Sequence, residues 1–236
     1  MNTVQIFISE VSIPRMRKKE YAIEIGGKKL TALFTDLAEQ ANGSVIMKYG
    51  NTTALVTAVM SKGEKETDFF PLTVDYEERF YAAGEILGSR FIRREGRPTD
   101  EAVLSGRVVD RTIRPLFDQR MRNEVQVVVT ILSIDEDDPD ILAVIGASLA
   151  LGASDIPWNG PVSAVRVGIH ANEKESAYSV NPTYEEREQA LLDLVACGKD
   201  GLINMIEVGG KEIEEKTVIA ALEEASREIE KLQDWQ

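Results

Sequence analysis

Six segments of this chain alternate apolar and polar residues or concentrate β-branched side chains, and this pattern constrains the fold more than any other feature. A two-residue period is typical of strands that bury one face of a sheet. The predicted strands cover residues 21–25, 44–49, 52–60, 124–133, 162–169 and 202–208. Tyr49-Gly50-Asn51-Thr52 joins the second of them to the third and predicts a tight hairpin turn.

Four other segments have the composition or the periodicity of helices. They cover residues 31–40, 98–113, 141–153 and 214–232. The second begins with Pro98, followed by Thr99, Asp100 and Glu101, whose hydroxyl and carboxylates complement the free amides of a helix N-terminus. Because the strands cluster before the helices instead of alternating strictly with them, the sequence predicts an α+β fold.

The positive charge of this acidic chain is concentrated in one stretch. The formal charge is −13 at pH 7, yet the 33 residues from Arg90 to Arg122 contain nine arginines, five acids and no lysine. Nine minus five gives that stretch +4 and leaves −17 for the rest, an asymmetry typical of a local polyanion site. The acidic remainder would repel phosphates, which excludes non-specific coating by nucleic acid and favours a focused contact.

The first part of the basic stretch predicts an RNA-binding loop. Its candidate RNA-binding residues are Arg90, Phe91, Ile92, Arg93, Arg94 and Arg97. Guanidinium groups beside flat or aliphatic side chains are the combination with which proteins bind single-stranded RNA. The alternative is a solvated loop without a ligand.

Three further arginines, Arg107, Arg111 and Arg114, follow on the predicted helix 98–113. Their spacing of i, i+4 and i+7 places them within a sector of about 60°, where they form a basic stripe. Two interpretations stay open. The stripe either binds phosphate or forms ion pairs with acids of a neighbouring element or subunit.

The rest of the composition excludes several classes of protein. A single cysteine, Cys197, excludes an intramolecular disulfide, and a single histidine, His170, argues against histidine-based zinc chemistry. No apolar run approaches the ~20 residues of a membrane span, and the N-terminal residues lack the apolar core of a signal peptide. We therefore expect a cytoplasmic protein with no membrane partner.

Long motifs occur along the chain in a fixed order. They are Asp68-Phe69-Phe70-Pro71-Leu72-Thr73-Val74-Asp75-Tyr76, Phe91-Ile92-Arg93-Arg94-Glu95-Gly96-Arg97-Pro98, Ile113-Arg114-Pro115-Leu116-Phe117 and Asn123-Glu124-Val125-Gln126-Val127. With shorter matches as far as Val180-Asn181-Pro182-Thr183, they cover nearly the whole chain. Together they resemble bacterial polynucleotide phosphorylase.

The resemblance implies an RNase PH-like core in residues 1–210 and the beginning of an α-helical linker domain in residues 211–236. Members of this family are polyribonucleotide nucleotidyltransferases, homotrimeric rings that degrade mRNA from its 3′ end with inorganic phosphate as co-substrate and Mg²⁺ as cofactor. They contain two RNase PH-like cores, and this chain resembles the first. The implied partners are single-stranded RNA, two further copies of the chain and the RNA-degradation machinery.

The resemblance also assigns site residues. Those that it places against RNA at the mouth of the ring channel are Phe91, Arg93, Arg94 and Arg97. It assigns a phosphate contact to Arg107. Because the family loops lack a counterpart of Arg90, either Phe91 or Ile92 stands at the channel constriction.

We expect catalysis and magnesium binding to belong to the second core, which is missing here. Where a phosphate loop would precede a helix, residues 135–140 read Asp-Glu-Asp-Asp-Pro-Asp, and their carboxylates would repel phosphate. Leu191 stands where the second core has a metal-binding aspartate, and leucine cannot coordinate magnesium. Asp193 is interpreted as a structural acid at the end of a strand. We therefore predict no catalytic and no metal-binding residue in this chain.

Two other functions stay open. In one, the chain is a ring-assembly scaffold that does not contact RNA. In the other, it is a self-sufficient phosphorolytic ring enzyme with an active site of its own.

Overall fold

Two sheets with helices packed between them and behind them organise the chain. The computed structural model describes residues 17–86, 98–170 and 178–236. The described strands are β1 (Lys18–Ile25), β2 (Lys28–Thr35), β3 (Gly43–Tyr49), β4 (Thr52–Glu64), β5 (Leu72–Glu78), β6 (Asn123–Ser133), β7 (Ser163–His170), β8 (Tyr178–Val180), β9 (Ala190–Lys199) and β10 (Leu202–Gly210). The described helices are α1 (Asp100–Ile113), α2 (Pro139–Gly152), α3 (Tyr184–Gln189) and α4 (Glu215–Trp235), with short 3-10 turns at Phe80–Ala83 and Arg114–Leu116. The predicted α+β class is confirmed.

The larger sheet, sheet A, has six strands in the order β1-β2-β3-β4-β6-β5. All its neighbours are antiparallel except β5 and β6, which run parallel. The predicted hairpin turn joins β3 to β4, and Tyr49 pairs with Thr52 across it. Gly50 in that turn has a φ of 57°, a left-handed conformation that glycine adopts without steric cost.

The smaller sheet, sheet B, is antiparallel with the order β10-β9-β7-β8. Seven of the eight residues of β7 are buried, because both faces of this strand are covered. On one face lies α2, which also packs against β3 and β4 of sheet A. On the other face lies α4, which packs against β7 and β9. The protein is therefore layered as sheet A, then α1 and α2, then sheet B, then α4.

The burial patterns of α2 and α4 follow from their places in these layers. α2 is buried almost all round because it lies between two sheets, with residues such as Leu142 and Ile145 fully enclosed. α4 is amphipathic and buries only Ala221, Ala225, Ile229 and Leu232, which recur at helical spacing. None of the helices in the described part of the chain is long and apolar enough to cross a membrane.

One predicted helix is wrong. Residues 31–40 were expected to be helical, but residues 28–35 form β2 and pair with β1 and β3. The Gly26-Gly27 turn, with φ values of 56° and 74°, sends the chain back along β1 as a two-residue hairpin. Leu30 and Ala32 then alternate into the core. The cross-strand pairing outweighs the local helix propensity on which the prediction relied.

A close contact between α2 and sheet A generates the first testable prediction. A Cβ atom on Gly146 would lie 2.6 Å from Cγ2 of Val56 and 3.0 Å from Cγ of Met47. Because the β-branched Val56 cannot easily move aside, Gly146→Ala should lower the free energy of unfolding by about 1–3 kcal/mol. Urea unfolding followed by circular dichroism measures this loss.

The matched control is Gly152→Ala at the end of the same helix. A Cβ there would meet none of the described atoms within 4 Å, so alanine should leave stability unchanged or raise it by up to about 1 kcal/mol. Equal losses at both positions would contradict the close α2–sheet contact.

Candidate RNA-binding face and the ion-pair ring at helix α2

Most of the predicted RNA-binding residues lie outside the described residues. Arg90, Phe91, Ile92, Arg93, Arg94 and Arg97 all fall within residues 87–97. Their assignment to RNA therefore stays a prediction. Arg107 is described and lies on α1.

The residues that flank this segment are fixed to sheet A. On one side, the carbonyl of Ala82 accepts a hydrogen bond of 3.0 Å from the amide of Ile134, just beyond β6. On the other side, Thr99 caps α1: its Oγ1 accepts a hydrogen bond of 3.0 Å from the Ala102 amide and donates one of 3.2 Å to Glu78 at the end of β5. The predicted loop thus connects two anchored points at the β5–β6 edge and leads directly into α1.

The three arginines of the predicted stripe do not behave alike. Arg114 is half-buried and forms two hydrogen bonds with the Asp110 carboxylate, at 2.6 and 3.0 Å. It also donates to the backbone carbonyls of Phe70 and Leu72. Arg114 is therefore a structural residue that ties α1 to the beginning of β5, as the ion-pair interpretation expects.

The exposed residues Val103, Leu104, Arg107 and Arg111 form what we call the α1 face. Within the described residues, neither arginine of this face forms an ion pair. Leu104 and Val103 are 57% and 48% exposed, and they precede Arg107 by three and four residues, so they lie beside it. The α1 face thus presents two arginines that have no ion-pair partner in the part of the chain that the structure describes, next to apolar side chains.

The acidic run before α2 is paired with side chains of the protein, although Asp137 Oδ2 is buried without a hydrogen-bond partner among the described residues. Asp137 is buried and binds Lys28 Nζ through Oδ1 at 2.6 Å, while Glu136 binds the same ammonium group at 2.8 Å. Asp135 accepts a hydrogen bond from the Asn51 side chain at 2.8 Å. These carboxylates hold β2 and the β3–β4 turn together and offer no donors to a phosphate.

Four charged side chains next to this run form what we call the ion-pair ring: Arg166 on β7, Asp138 before α2, Arg187 on α3 and Asp193 on β9. Asp138 Oδ2 binds Arg166 Nη2 at 2.6 Å and Arg187 Nη1 at 2.7 Å. Asp193 closes the ring, binding Arg166 Nη1 at 2.8 Å and Arg187 Nε at 3.1 Å. The ring joins sheet B to the start of α2.

Local structure positions each member of the ring. Asp138 is the N-cap of α2, and its Oδ1 accepts a hydrogen bond from the Asp140 amide at 2.9 Å. A capping box between Thr183 and Glu186 starts α3 and sets the direction of Arg187. Neither Arg166 nor Arg187 was predicted as a site residue from the sequence. Arg166 was detectable, since an arginine inside an almost wholly apolar strand needs a buried partner.

The contacts of Asp193 and Leu191 bear on the prediction that this chain contains no magnesium ligand. Asp193 lies within β9 rather than at its end, and both its carboxylate oxygens bind arginines. Leu191 offers only an apolar side chain. The described residues contain no group of three or more His, Cys, Asp or Glu side chains placed to hold a metal ion. Asp193 is therefore not available as a magnesium ligand, because its carboxylate is already paired with two arginines.

Burial and neighbouring carboxylates raise the pKa values of two side chains close to the ring, Asp140 and Tyr76. Burial, together with the nearby Asp138 carboxylate, raises the pKa of Asp140 to about 6. Burial and the Asp140 and Asp138 carboxylates also raise the pKa of Tyr76 well above its ordinary value. The Tyr76 hydroxyl has no hydrogen-bond partner among the described residues. The interior beside α2 is thus crowded with negative charge.

Comparison with known proteins places this architecture in a class. Residues 28–157 match the family described as "3′ exoribonuclease family, domain 1", and residues 160–228 match domain 2 of that family. The chain belongs to the 3′ exoribonuclease family, whose domains are of the RNase PH type.

Solved structures show the same fold. A chain of the Archaeoglobus fulgidus exosome with RNA bound to the active site has a TM-score of 0.64 and 21% identity, over 92% of this chain and 87% of that one. Rice (Oryza sativa) Rrp46 has a TM-score of 0.67 and 11% identity, over 93% and 91% of the two chains. The expected RNase PH-like fold is therefore confirmed.

Proteins with similar sequences identify a narrower group within this family than the solved structures do. The chain is 46% identical over 216 residues to the polyribonucleotide nucleotidyltransferase of Bacillus mycoides, a match that covers 91% of this chain and 29% of that protein. It is 47% identical over 215 residues to that of Halothermothrix orenii, with 91% and 30% covered. The predicted resemblance to polynucleotide phosphorylase is confirmed, and the chain spans about 30% of the length of these curated relatives.

The raised pKa of Asp140 generates the second prediction: Asp140→Asn should stabilise the protein at about pH 8 and have little effect near pH 4. Its folded-state pKa of about 6 lies above the ordinary 3.8, so the folded protein holds this proton more tightly than the unfolded chain does. The stability that the proton contributes is present below pH ~4 and is lost as the pH rises through about 6. Asparagine cannot ionise and avoids this loss, which is on the order of 1–3 kcal/mol.

Thermal midpoints of both proteins at the two pH values measure the effect. Asp100→Asn is the matched control, because Asp100 lies in the first turn of α1 but is exposed. That change should give no stabilisation at pH ~8, since it only removes a favourable charge from a helix N-terminus. A destabilised Asp140→Asn protein at pH ~8 would contradict the crowding of negative charge at α2.

Proposed function

We propose that this chain is the first RNase PH-type core of a polyribonucleotide nucleotidyltransferase and that it binds and guides single-stranded RNA. The observation that carries the proposal is the α1 face, where Arg107 and Arg111 are exposed and, in the described part of the chain, without an ion-pair partner. In an otherwise acidic protein, two exposed guanidinium groups next to apolar side chains suit a phosphate backbone with bases that stack.

The position of the face supports the same function. α1 follows the segment that contains Arg93, Arg94 and Arg97, and both flanks of that segment are fixed to sheet A. A strand of RNA held by the loop arginines would therefore pass the beginning of α1. Arg107 and Arg111 would neutralise further phosphates along the strand.

The reaction itself belongs to a second core in this proposal. There, an oxygen of inorganic phosphate attacks the terminal phosphodiester, the bond to the 3′ oxygen of the preceding nucleotide breaks, and a nucleoside diphosphate leaves. Mg²⁺ and phosphate would be bound by that core, because the residues around α2 in this chain fit neither. In the cell, the partners would be two further copies in a homotrimeric ring, located in the cytoplasm, and the RNA-degradation machinery.

A scaffold function is the second candidate, and one observation favours it. β10 is an edge strand of sheet B and exposes Ile206 and Val208, at 51% and 46%. Asn204 of the same strand donates a hydrogen bond to the Thr112 carbonyl of α1, so the strand adjoins that helix. Apolar side chains beside an unpaired strand edge are typical of an assembly surface.

The third prediction tests the RNA-binding function. The double variant Arg107→Ala/Arg111→Ala should bind a short oligo(A) strand several-fold more weakly than wild type at low salt. The slope of log K against log salt concentration should fall by about 0.7 for each phosphate contact that is lost. Fluorescence anisotropy over a salt series measures both quantities, and Arg93→Ala/Arg94→Ala should have the same effects.

The matched control is Arg227→Ala, which removes an exposed arginine from α4 in the opposite layer. Its affinity and salt slope should equal those of wild type. Native mass spectrometry with and without the RNA separates the two functions, since a trimer that ignores RNA supports the scaffold. An unchanged salt slope in both double variants would contradict the guiding function.

A further inference from the structure

A cleft of about 800 Å³ lies between sheet A and the ends of two helices. Its aromatic lining comes from four residues, which are Tyr21 on β1, Phe34 on β2, Trp158 before β7 and Trp235 at the end of α4. Sites for small molecules have volumes of about 300–1,000 Å³, and aromatic side chains are common in their walls. Neither the α1 face nor the ion-pair ring contributes to this lining, so the cleft is separate from both.

The aromatic rings of the cleft are held in place by their neighbours. Tyr21 and Phe34 meet edge to face, with ring centroids 6.0 Å apart and an angle of 78° between the ring planes. Trp158 packs against Phe117 with a centroid distance of 6.1 Å, and Trp235 is half-buried. Aromatic rings attract cations because their π electrons make the ring faces negative, and the attraction is strongest for tryptophan.

Two helices end at the cleft, and each contributes the negative end of its dipole. Gly152, the last residue of α2, lines the cleft, as do Trp235 and Gln236 at the end of α4. Ser148 Oγ donates a hydrogen bond of 3.0 Å to Gln236 Oε1, which holds the end of α4 beside α2. Both helices are described to their ends, and neither has a basic residue in its last turn. The two helix ends therefore favour a positive charge that these turns do not supply.

The charges around the cleft indicate which cation it suits. None of the described residues that line it has a charged side chain, so a strongly hydrated metal ion would lose water without gaining a carboxylate. Asp155 and Asp234 are exposed and adjoin lining residues in the sequence. Lys199 donates to the carbonyl of Gly160 in the lining, but the Asp200 carboxylate lies 3.8 Å from its ammonium group. These surroundings favour a weakly hydrated cation over a metal ion or an anion.

We propose that this cleft binds a small organic cation in which a quaternary ammonium group is attached to an apolar body. The ammonium group lies against the tryptophan rings near the ends of α2 and α4, and the apolar body covers Tyr21 and Phe34. Proteins recognise quaternary ammonium groups with aromatic side chains. Such a group donates no hydrogen bonds, so an uncharged aromatic lining leaves none of its donors unsatisfied.

The fourth prediction compares choline with 3,3-dimethylbutanol, a neutral alcohol of the same shape. Both tryptophans of the chain line the cleft, so choline should change the tryptophan emission of the full chain in a saturable way. The alcohol should bind about tenfold more weakly, because it has no charge to interact with the rings and the helix ends. Fluorescence titrations at constant ionic strength measure both affinities.

Tyr21→Leu removes one ring and should weaken choline binding by about two- to tenfold. Its matched control is Tyr81→Leu, because Tyr81 has a similar exposure, 56% against 53%, and lies outside the cleft. The control should bind choline as wild type does.

Ala153→Lys tests the contribution of the helix ends, since Ala153 is exposed, lines the cleft and is the C-cap of α2. The new cation should weaken choline binding several-fold without lowering the thermal midpoint, because a positive charge is favourable at a helix C-terminus. Ala153→Gln, its neutral control, should keep the wild-type affinity. Three results would each overturn the proposal: equal affinities for choline and the alcohol, no saturable change in emission, or an unchanged affinity in both Tyr21→Leu and Ala153→Lys.

Discussion

The ion pairs among Arg166, Asp138, Arg187 and Asp193 are the interaction on which this core most depends. They connect β7, α3 and β9 to the N-terminus of α2, the helix that both sheets enclose. Removing one member of a buried pair costs about 3–5 kcal/mol, because the remaining charge stays in a poorly solvated place. The ring therefore fixes the position of α2 and at the same time removes its N-terminus from contact with solvent anions.

The arginines of this region fall into two groups, according to whether a carboxylate of the protein faces them. Arg166, Arg187 and Arg114 each face carboxylates within the protein, and their charges serve the fold. Arg107 and Arg111 have no such partners within the described residues, and they lie on the outer surface of α1. The exposed arginines that the proposed function assigns to RNA therefore lie on α1, while the charged side chains at the end of α2 are paired within the protein. In the proposed function, the arginines of the α1 face contact RNA, while the charged side chains at the N-terminus of α2 serve the fold.

The sequence predicted the elements whose patterns are local. β3, β4 and β6 alternate clearly, and α1 carries its cap at Thr99, so these elements were found with ends in error by only a few residues. β2 was mistaken for a helix because its pairing with β1 depends on the Gly26-Gly27 turn and not on its own composition.

At the site, the stripe of three arginines was visible in the sequence, but the buried pairing of Arg114 was not, because its acceptors Phe70 and Leu72 are more than forty residues away. The ring was beyond sequence reasoning for the same reason, since Asp138 and Arg187 come together only through the packing of sheet B on α2.

The central claim is that this core binds RNA without a working phosphate site, and a turnover assay on the chain tests it most directly. Poly(A) would be incubated with the protein, inorganic phosphate and Mg²⁺, and nucleoside diphosphate would be separated by chromatography. The exposed arginines of α1 predict that poly(A) is bound, and the paired charges at the N-terminus of α2 predict that no ADP forms above a protein-free blank. ADP that forms only when both the chain and phosphate are present would contradict the account.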